Sequence, residues 1–301
     1  MKVLITGSNG LLGQKIIGLL EHDKLTVIAT GRGENRNPAG NYKYYPLDIT
    51  SSDAVESLIS TERPDVVINT AAMTHVDQCE QEMDLCWQLN VEAVQFLINA
   101  CQKIDAFLIH ISTDFIFDGK AGPYQENDKP NPLSHYAESK LASEKLLENA
   151  SIDFAIVRTM LVYGIAHDMS RSNIILWVKK SLEEGKQIKV VNDQWRTPTL
   201  AEDLAKACIT IAKGRVKGTF HISGKDMLTP YDMAIATAKH WNLDKDLIEE
   251  VDGSIFTQPA KRPPKTGFIL DKAKRELAYE PVTFQKGLSI VENQLKEVSE
   301  G

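Results

Sequence analysis

The 301-residue chain is long enough for one large α/β unit or two coupled domains. With 34 Lys and Arg against 41 Asp and Glu, its formal net charge of −7 excludes a general nucleic-acid binder while leaving room for a local basic pocket. Cys79, Cys86, Cys101 and Cys208 show neither metal-ligand spacing nor disulfide density, and no run approaches roughly 18 apolar residues, so a cytoplasmic protein without a membrane partner is expected.

Val3-Leu4-Ile5 reads as a buried strand that begins at Lys2, in place of a leader peptide. Gly7-Ser8-Asn9-Gly10-Leu11-Leu12-Gly13 follows directly and opens a helix expected over 12–21. In this G-x-x-G-x-x-G spacing Gly7 makes the turn, Gly10 lets the backbone approach a pyrophosphate, and Gly13 permits close helix–sheet packing. The anion would lie on the free amides of the helix, near Asn9, Leu11 and Leu12.

The second strand, 25–29, leads to Thr30-Gly31-Arg32. Sites for NAD usually carry an acidic residue there, against the ribose. Arg32, with Arg36 nearby, instead suits a 2′-phosphate, so NADP(H) is expected to be preferred, with NAD(H) also compatible. The alternative is a solvent-exposed Arg32 with Glu34 on the ribose. Asp48-Ile49, after a third strand over 44–47, suits an adenine amino group and ring edge. After the fourth strand, Val66-Val67-Ile68, the small residues of Asn69-Thr70-Ala71-Ala72 would let backbone pass close to a cofactor.

Helices are expected over 52–60, 88–103 and 134–149, and strands over 107–111 and 154–158. The resulting βαβ succession predicts a doubly wound parallel sheet. Tyr136 and Lys140 lie four apart and share a helix face, where an ammonium would lower the phenol pKa for proton transfer to a carbonyl oxygen. Ser112 or Thr113, at the end of the preceding strand, supplies a hydroxyl for that oxygen. His110 reads as a satisfied core histidine. His75, Asp77, Cys79 and Glu80 cluster without ligand spacing, so no metal is expected.

After Gly164 the pattern changes: helices over 174–184 and 201–212, strands over 188–191 and 218–222, then a polar region broken by Pro259, Pro263, Pro264 and Pro281. The expected division is a cofactor-binding domain over 1–164 and a smaller substrate-binding lobe over 165–301, with some late segments returning to the first sheet. A ligand would sit in the crevice between them.

Together, Gly7–Gly13, Asn69–Ala72, Ser112-Thr113-Asp114, Tyr136–Lys140 and Arg158-Thr159 resemble the extended short-chain dehydrogenase/reductase family. Arg63-Pro64-Asp65, Thr74-His75-Val76-Asp77, Phe115-Ile116-Phe117-Asp118-Gly119 and Thr197-Pro198-Thr199 make the likeness closest to its dTDP-4-dehydrorhamnose reductase group. The resemblance implies a Rossmann-type α/β fold with a smaller mixed α/β lobe, a nucleotide-sugar substrate, and a homodimer. It also implies that Tyr136 protonates the 4-keto oxygen, that Lys140 assists, that Thr113 binds substrate, and that Thr74, Val76 and Asp77 line the crevice.

Related dehydratases carry Asp-Glu after the hydroxyl pair; Asp114-Phe115 lacks the second carboxylate, which argues against elimination. Three positions depart from the group's pattern. Met73 replaces an aromatic residue, Leu161 a tryptophan, and Arg196 a glycine. Leu161 is expected to meet substrate, and Arg196 either to meet a diphosphate or to cap a surface turn. Two other activities fit the same motifs: reduction of a different keto sugar or carbonyl compound, and a non-catalytic NADP-binding regulatory role resembling the methionine adenosyltransferase β subunit.

Overall fold

The structure, a computed structural model, describes residues 1–300 except His22, Lys24, Pro38, Ala39, Ser170 and Arg171, with side chains described through Glu297. In chain order the first half runs β1 (Lys2–Thr6), α1 (Leu11–Leu20), β2 (Thr26–Gly31), β3 (Lys43–Pro46), α2 (Ser52–Glu62), β4 (Val66–Asn69), α3 (Val76–Gln81) and α4 (Met83–Trp87). It continues through α5 (Ala93–Ile104), β5 (Phe107–Thr113), α6 (His135–Glu148) and β6 (Phe154–Thr159). The second half holds β7 (Val162–Tyr163), α7 (Ile174–Glu183), β8 (Ile188–Val191), β9 (Thr199–Leu200), α8 (Ala201–Gly214) and β10 (Gly218–His221). α9 (Pro230–His240), β11 (Ile248–Val251), α10 (Asp271–Leu277) and α11 (Phe284–Glu300) complete it.

β1 to β6 and β10 form one parallel sheet in the order β10-β6-β5-β4-β1-β2-β3. Its central strands are apolar on both faces because helices cover both. Val3, Ile5 and Ile109 pack with residues of α1 and α8 on one side, and Leu4, Val67 and Leu108 with α2 and α5 on the other. This is a Rossmann-type doubly wound sheet.

The strand expected over 218–222 is the seventh strand of that sheet, and α8 packs on α1. The smaller lobe is built on the parallel pair β8–β11 with α7 and α9, around Val178, Val190 and Ala234. A second cluster, Tyr163, Met233, Phe284 and Leu288, joins it to α11.

The helix expected over 88–103 is interrupted. A wide π-helical turn over Gln88–Glu92 separates α4 from α5. Within that turn the buried Asn90 amide accepts from Met73 N (2.8 Å) and donates to Met73 O (3.1 Å) and Ser139 Oγ (3.0 Å). Apolar periodicity does not register a single inserted residue, so only the fold reveals it. Among the described residues no helix is long and apolar enough to cross a membrane.

Candidate active site

The chain leaves β1 toward β2 on one side and β4 toward β5 on the other, so a crevice opens between β1 and β4 at their carboxyl ends. The glycine turn and Asn69–Ala72 form its two lips. Gly7 has φ +67°, and a Cβ there would lie 2.7 Å from Ala71 N, so a side chain would strain the turn and collide with the opposite lip. From this point a cleft of about 610 Å³ extends over the ends of β5 and β6 to the second lobe.

Asn9, Gly10, Leu11, Leu12 and Ala72 line its first part. Gly10 caps α1 without a side-chain acceptor, so the first amides of that helix face the cleft uncapped. Asn9 also has a structural task that its place in the motif does not reveal. Its Nδ2 donates to Glu34 O (2.9 Å) while its Oδ1 accepts from Arg36 N (2.9 Å), which pins the loop carrying Arg32 against the glycine turn. Arg32 and Asp48 are exposed beside this turn, outside the cleft lining, with Ile49 buried behind them. Hydrogen bonds from Thr50, aided by Arg32, hold the Asp48 carboxyl below its usual range.

The residues present fit a dinucleotide. Gly7 leaves the space a side chain would fill, and the buried hydroxyls of Ser8, within the turn, and Ser112, on the cleft wall, have no protein partner. Buried polar groups without partners are rare, and Ser112 lies on the wall of the cleft that a dinucleotide would fill.

Thr113, Tyr136 and Lys140 line the same cleft. Ser134 caps α6 by accepting from Ala137 N, and the buried stripe Tyr136, Lys140, Ser143 and Leu147 turns toward the sheet. Burial pushes the Tyr136 phenol above its usual range, against the weaker lowering effect of its hydrogen bond with Thr113. The expected lowering by Lys140 is absent in this arrangement. Lys140 Nζ lies 3.1 Å from His110 Nε2, and burial pushes its pKa down to about 8. Behind Tyr136 pack Met73, Cys79 and Cys86, so the residue replacing the family aromatic is part of the tyrosine's apolar backing.

Thr74, Val76, Asp114 and Phe115 also reach the cleft, as does Leu161, which is 40% exposed with φ +38°. Leucine seldom adopts that backbone, and here it presents the side chain to the cleft mouth.

Two residues expected to meet substrate are committed elsewhere. Asp77 does not line the cleft. It accepts from Arg262 Nη2 (2.6 Å), Arg262 Nη1 (3.1 Å) and Ala260 N (3.2 Å), which lowers its pKa. Arg196 is 3% exposed, so it is not a surface cap, and it does not line the cleft. Its guanidinium donates to the carbonyls of Trp195 (2.8 Å), Pro264 (3.3 Å) and Pro263 (2.6 Å), with Nε 3.5 Å from the Asp114 carboxylate. Asp114 is itself buried and accepts from Thr113 Oγ1 (3.1 Å) and from Thr266 Oγ1. Burial raises its pKa, and Arg196 opposes that rise.

Sequence reasoning missed this buried cluster, because Asp114, Arg196 and Thr266 are far apart in the chain. It also missed the ion pair of Glu144 with Arg158 (2.7 Å), which ties α6 to β6.

A family model described as the RmlD substrate binding domain matches residues 1–297. The chain is 30% identical over 301 residues to a probable low-salt glycan biosynthesis reductase, Agl14, of Haloferax volcanii, covering 99% of this chain and 100% of that one. It is 33% identical over 258 residues to methionine adenosyltransferase 2 subunit beta of Bos taurus, covering 84% of this chain and 76% of the relative. A crystal structure of dTDP-4-dehydrorhamnose reductase from Bacillus anthracis in complex with NADP superposes with a TM-score of 0.84 at 27% identity, covering 97% and 99% of the two chains. Matched over nearly its whole length, the chain belongs to the RmlD substrate binding domain family.

Proposed function

We propose that this chain is an NADPH-preferring reductase of the 4-keto group of a nucleotide-linked deoxysugar, with dTDP-4-dehydrorhamnose, reduced to dTDP-rhamnose, as the first substrate to test. The observation that carries the reading is the single cleft joining the glycine turn to Thr113, Tyr136 and Lys140. The reductase names of the similar proteins support it.

A bound reduced nicotinamide supplies a hydride to the carbonyl carbon. Tyr136 donates its phenolic proton to the oxygen as negative charge develops there. Burial keeps that phenol protonated at neutral pH, which is the form a reduction needs. Thr113 orients the phenol by hydrogen bonding, and Lys140, as an ammonium, would hold the ribose and offset the phenolate left behind. The uncapped amides of α1 would receive the pyrophosphate, and Arg32 the 2′-phosphate. Asp48 and Ile49 would meet the adenine, and Ala71 and Ala72 would allow close passage of the cofactor. Thr74, Val76, Phe115 and Leu161 would face the sugar nucleotide from the opposite wall. A homodimer in the cytoplasm is part of the same proposal.

The test follows NADPH absorbance over a panel of nucleotide-linked 4-keto sugars. Turnover of at least one is expected, and none with any member overturns the assignment. Tyr136→Phe should lower turnover by at least about 100-fold with NADPH affinity largely kept. Arg32→Ala should reduce the preference for NADPH over NADH; an unchanged ratio removes the 2′-phosphate role.

The likeness to methionine adenosyltransferase 2 subunit beta favours a second reading, a non-catalytic NADP-binding subunit. Stoichiometric binding of another enzyme with no NADPH consumption on the whole panel would select it.

A further inference from the structure

His110 is fully buried on β5 and has no part in the chemistry above, yet it touches the catalytic lysine. Strand register explains how. In the parallel sheet Thr6 of β1 lies opposite Asn69 of β4, and Asn69 lies opposite His110 of β5. Their side chains therefore form one lateral polar row beneath the cleft. Thr6 Oγ1 donates to Asn69 Oδ1 (2.6 Å), Asn69 Nδ2 lies 3.1 Å from His110 Nδ1, and His110 Nε2 lies 3.0 Å from Ser143 Oγ and 3.1 Å from Lys140 Nζ. Every member is at most 2% exposed where the exposure of Thr6, Asn69, His110, Lys140 and Ser143 is concerned. The row begins at the residue before Gly7 and ends on Lys140, so it spans the sheet from the cofactor turn to the chemical end.

We infer that His110 is the positioning residue of Lys140: an uncharged imidazole, held in place by Asn69 and Ser143, that sets where the lysine nitrogen lies. This rests on the reductase reading for the role of Lys140 and adds a residue to that site. A polar row inside an otherwise apolar sheet costs desolvation at each group, which hydrogen bonding to fixed neighbours offsets. An apolar residue at 110 would remove the polar neighbour that both the Asn69 amide and the Lys140 nitrogen meet, leaving these buried groups facing hydrocarbon. Burial, reinforced by the adjacent lysine, drives the imidazole pKa well below its usual value, in keeping with an uncharged ring.

The experiment uses the full-length protein with NADP⁺ bound, labelled with ¹⁵N on histidine. The His110 ring nitrogens should report one neutral form from about pH 6 to 9, in which free histidine titrates near its lower end. Lys140→Met should shift the Nε2 resonance. A ring that titrates in this range, or an Nε2 signal indifferent to Lys140→Met, overturns the inference. In parallel, His110→Phe should weaken NADPH binding and lower kcat by roughly 10- to 100-fold with the sugar KM little changed, and His110→Gln should recover part of both. Wild-type affinity and kcat in His110→Phe, at an unaltered melting temperature, would show that the histidine only fills space. The NMR and NADPH measurements need no sugar, so an inactive wild type would refute the reductase reading and leave this one still decided by them.

Discussion

Lys140 is a cation that the fold has taken almost entirely out of water, and its pKa of about 8 follows from that burial against partial relief by Glu144. The ammonium is the form that would hold a ribose and stabilise a phenolate. It predominates below that value and is lost as pH rises through it. NADPH affinity and turnover are therefore expected to decline together through about pH 8. Isothermal titration and initial rates across pH 6 to about 10 check this; profiles flat well beyond that point would show that the lysine charge is not needed. Tyr136 gives no competing alkaline limb near neutrality, because its phenol is shifted upward. Leu161 illustrates a different residue-scale effect: its left-handed backbone keeps an aliphatic side chain at the cleft mouth.

At the scale of elements, the end of β5 is locked to the loop before β9 and to the segment near Thr266 by Asp114 and Arg196. Removing one partner of such a buried pair strands the other charge. Arg196→Leu should destabilise the protein by about 3–5 kcal/mol. Adding Asp114→Asn should recover part of that loss, because the stranded charge is then gone. Urea unfolding of both single variants and the double measures this, and a double-variant loss equal to the sum of the two single losses would mean that the pair is not coupled. The same cluster limits Thr113, whose hydroxyl proton is directed at Asp114 while its oxygen accepts from Phe115 N (3.2 Å). Ser112 keeps an unpartnered hydroxyl on the cleft wall. Both hydroxyls raised by the sequence are thus at the site, and they differ in what is free to donate.

For the molecule as a whole, Asp77 and Arg262 join α3, beside the first sheet, to a segment 185 residues away. Arg262 lowers the Asp77 pKa from 3.8, so the pair contributes stability above that value and loses it as pH falls through the lowered folded-state pKa. Arg262→Ala should therefore melt below wild type at neutral pH, and the gap should close in acid. A difference that persists unchanged well below pH 3.8 would assign the effect to packing.

Much of this organisation was legible along the chain. Buried parallel strands are continuous apolar runs, so β1, β4, β5 and β6 were readable within a residue or two, and the glycine turn was legible because its chemistry is local. Tyr136 and Lys140 were legible because four residues make about one helical turn. The wide turn at Asn90 was not, since one inserted residue barely disturbs an apolar pattern. The partners of Asp77 and Arg196 were not legible for a related reason: a charged side chain in the sequence announces its chemistry and not its partner. Whether it faces substrate or another residue depends on desolvation and distance, and these exist only once Arg262 has been brought to Asp77 and Asp114 to Arg196. His110 shows the same division most plainly. Its strand position was set by local pattern, but its contact with Lys140 arises from strand register and from α6 packing over β5, which no local stretch of sequence contains.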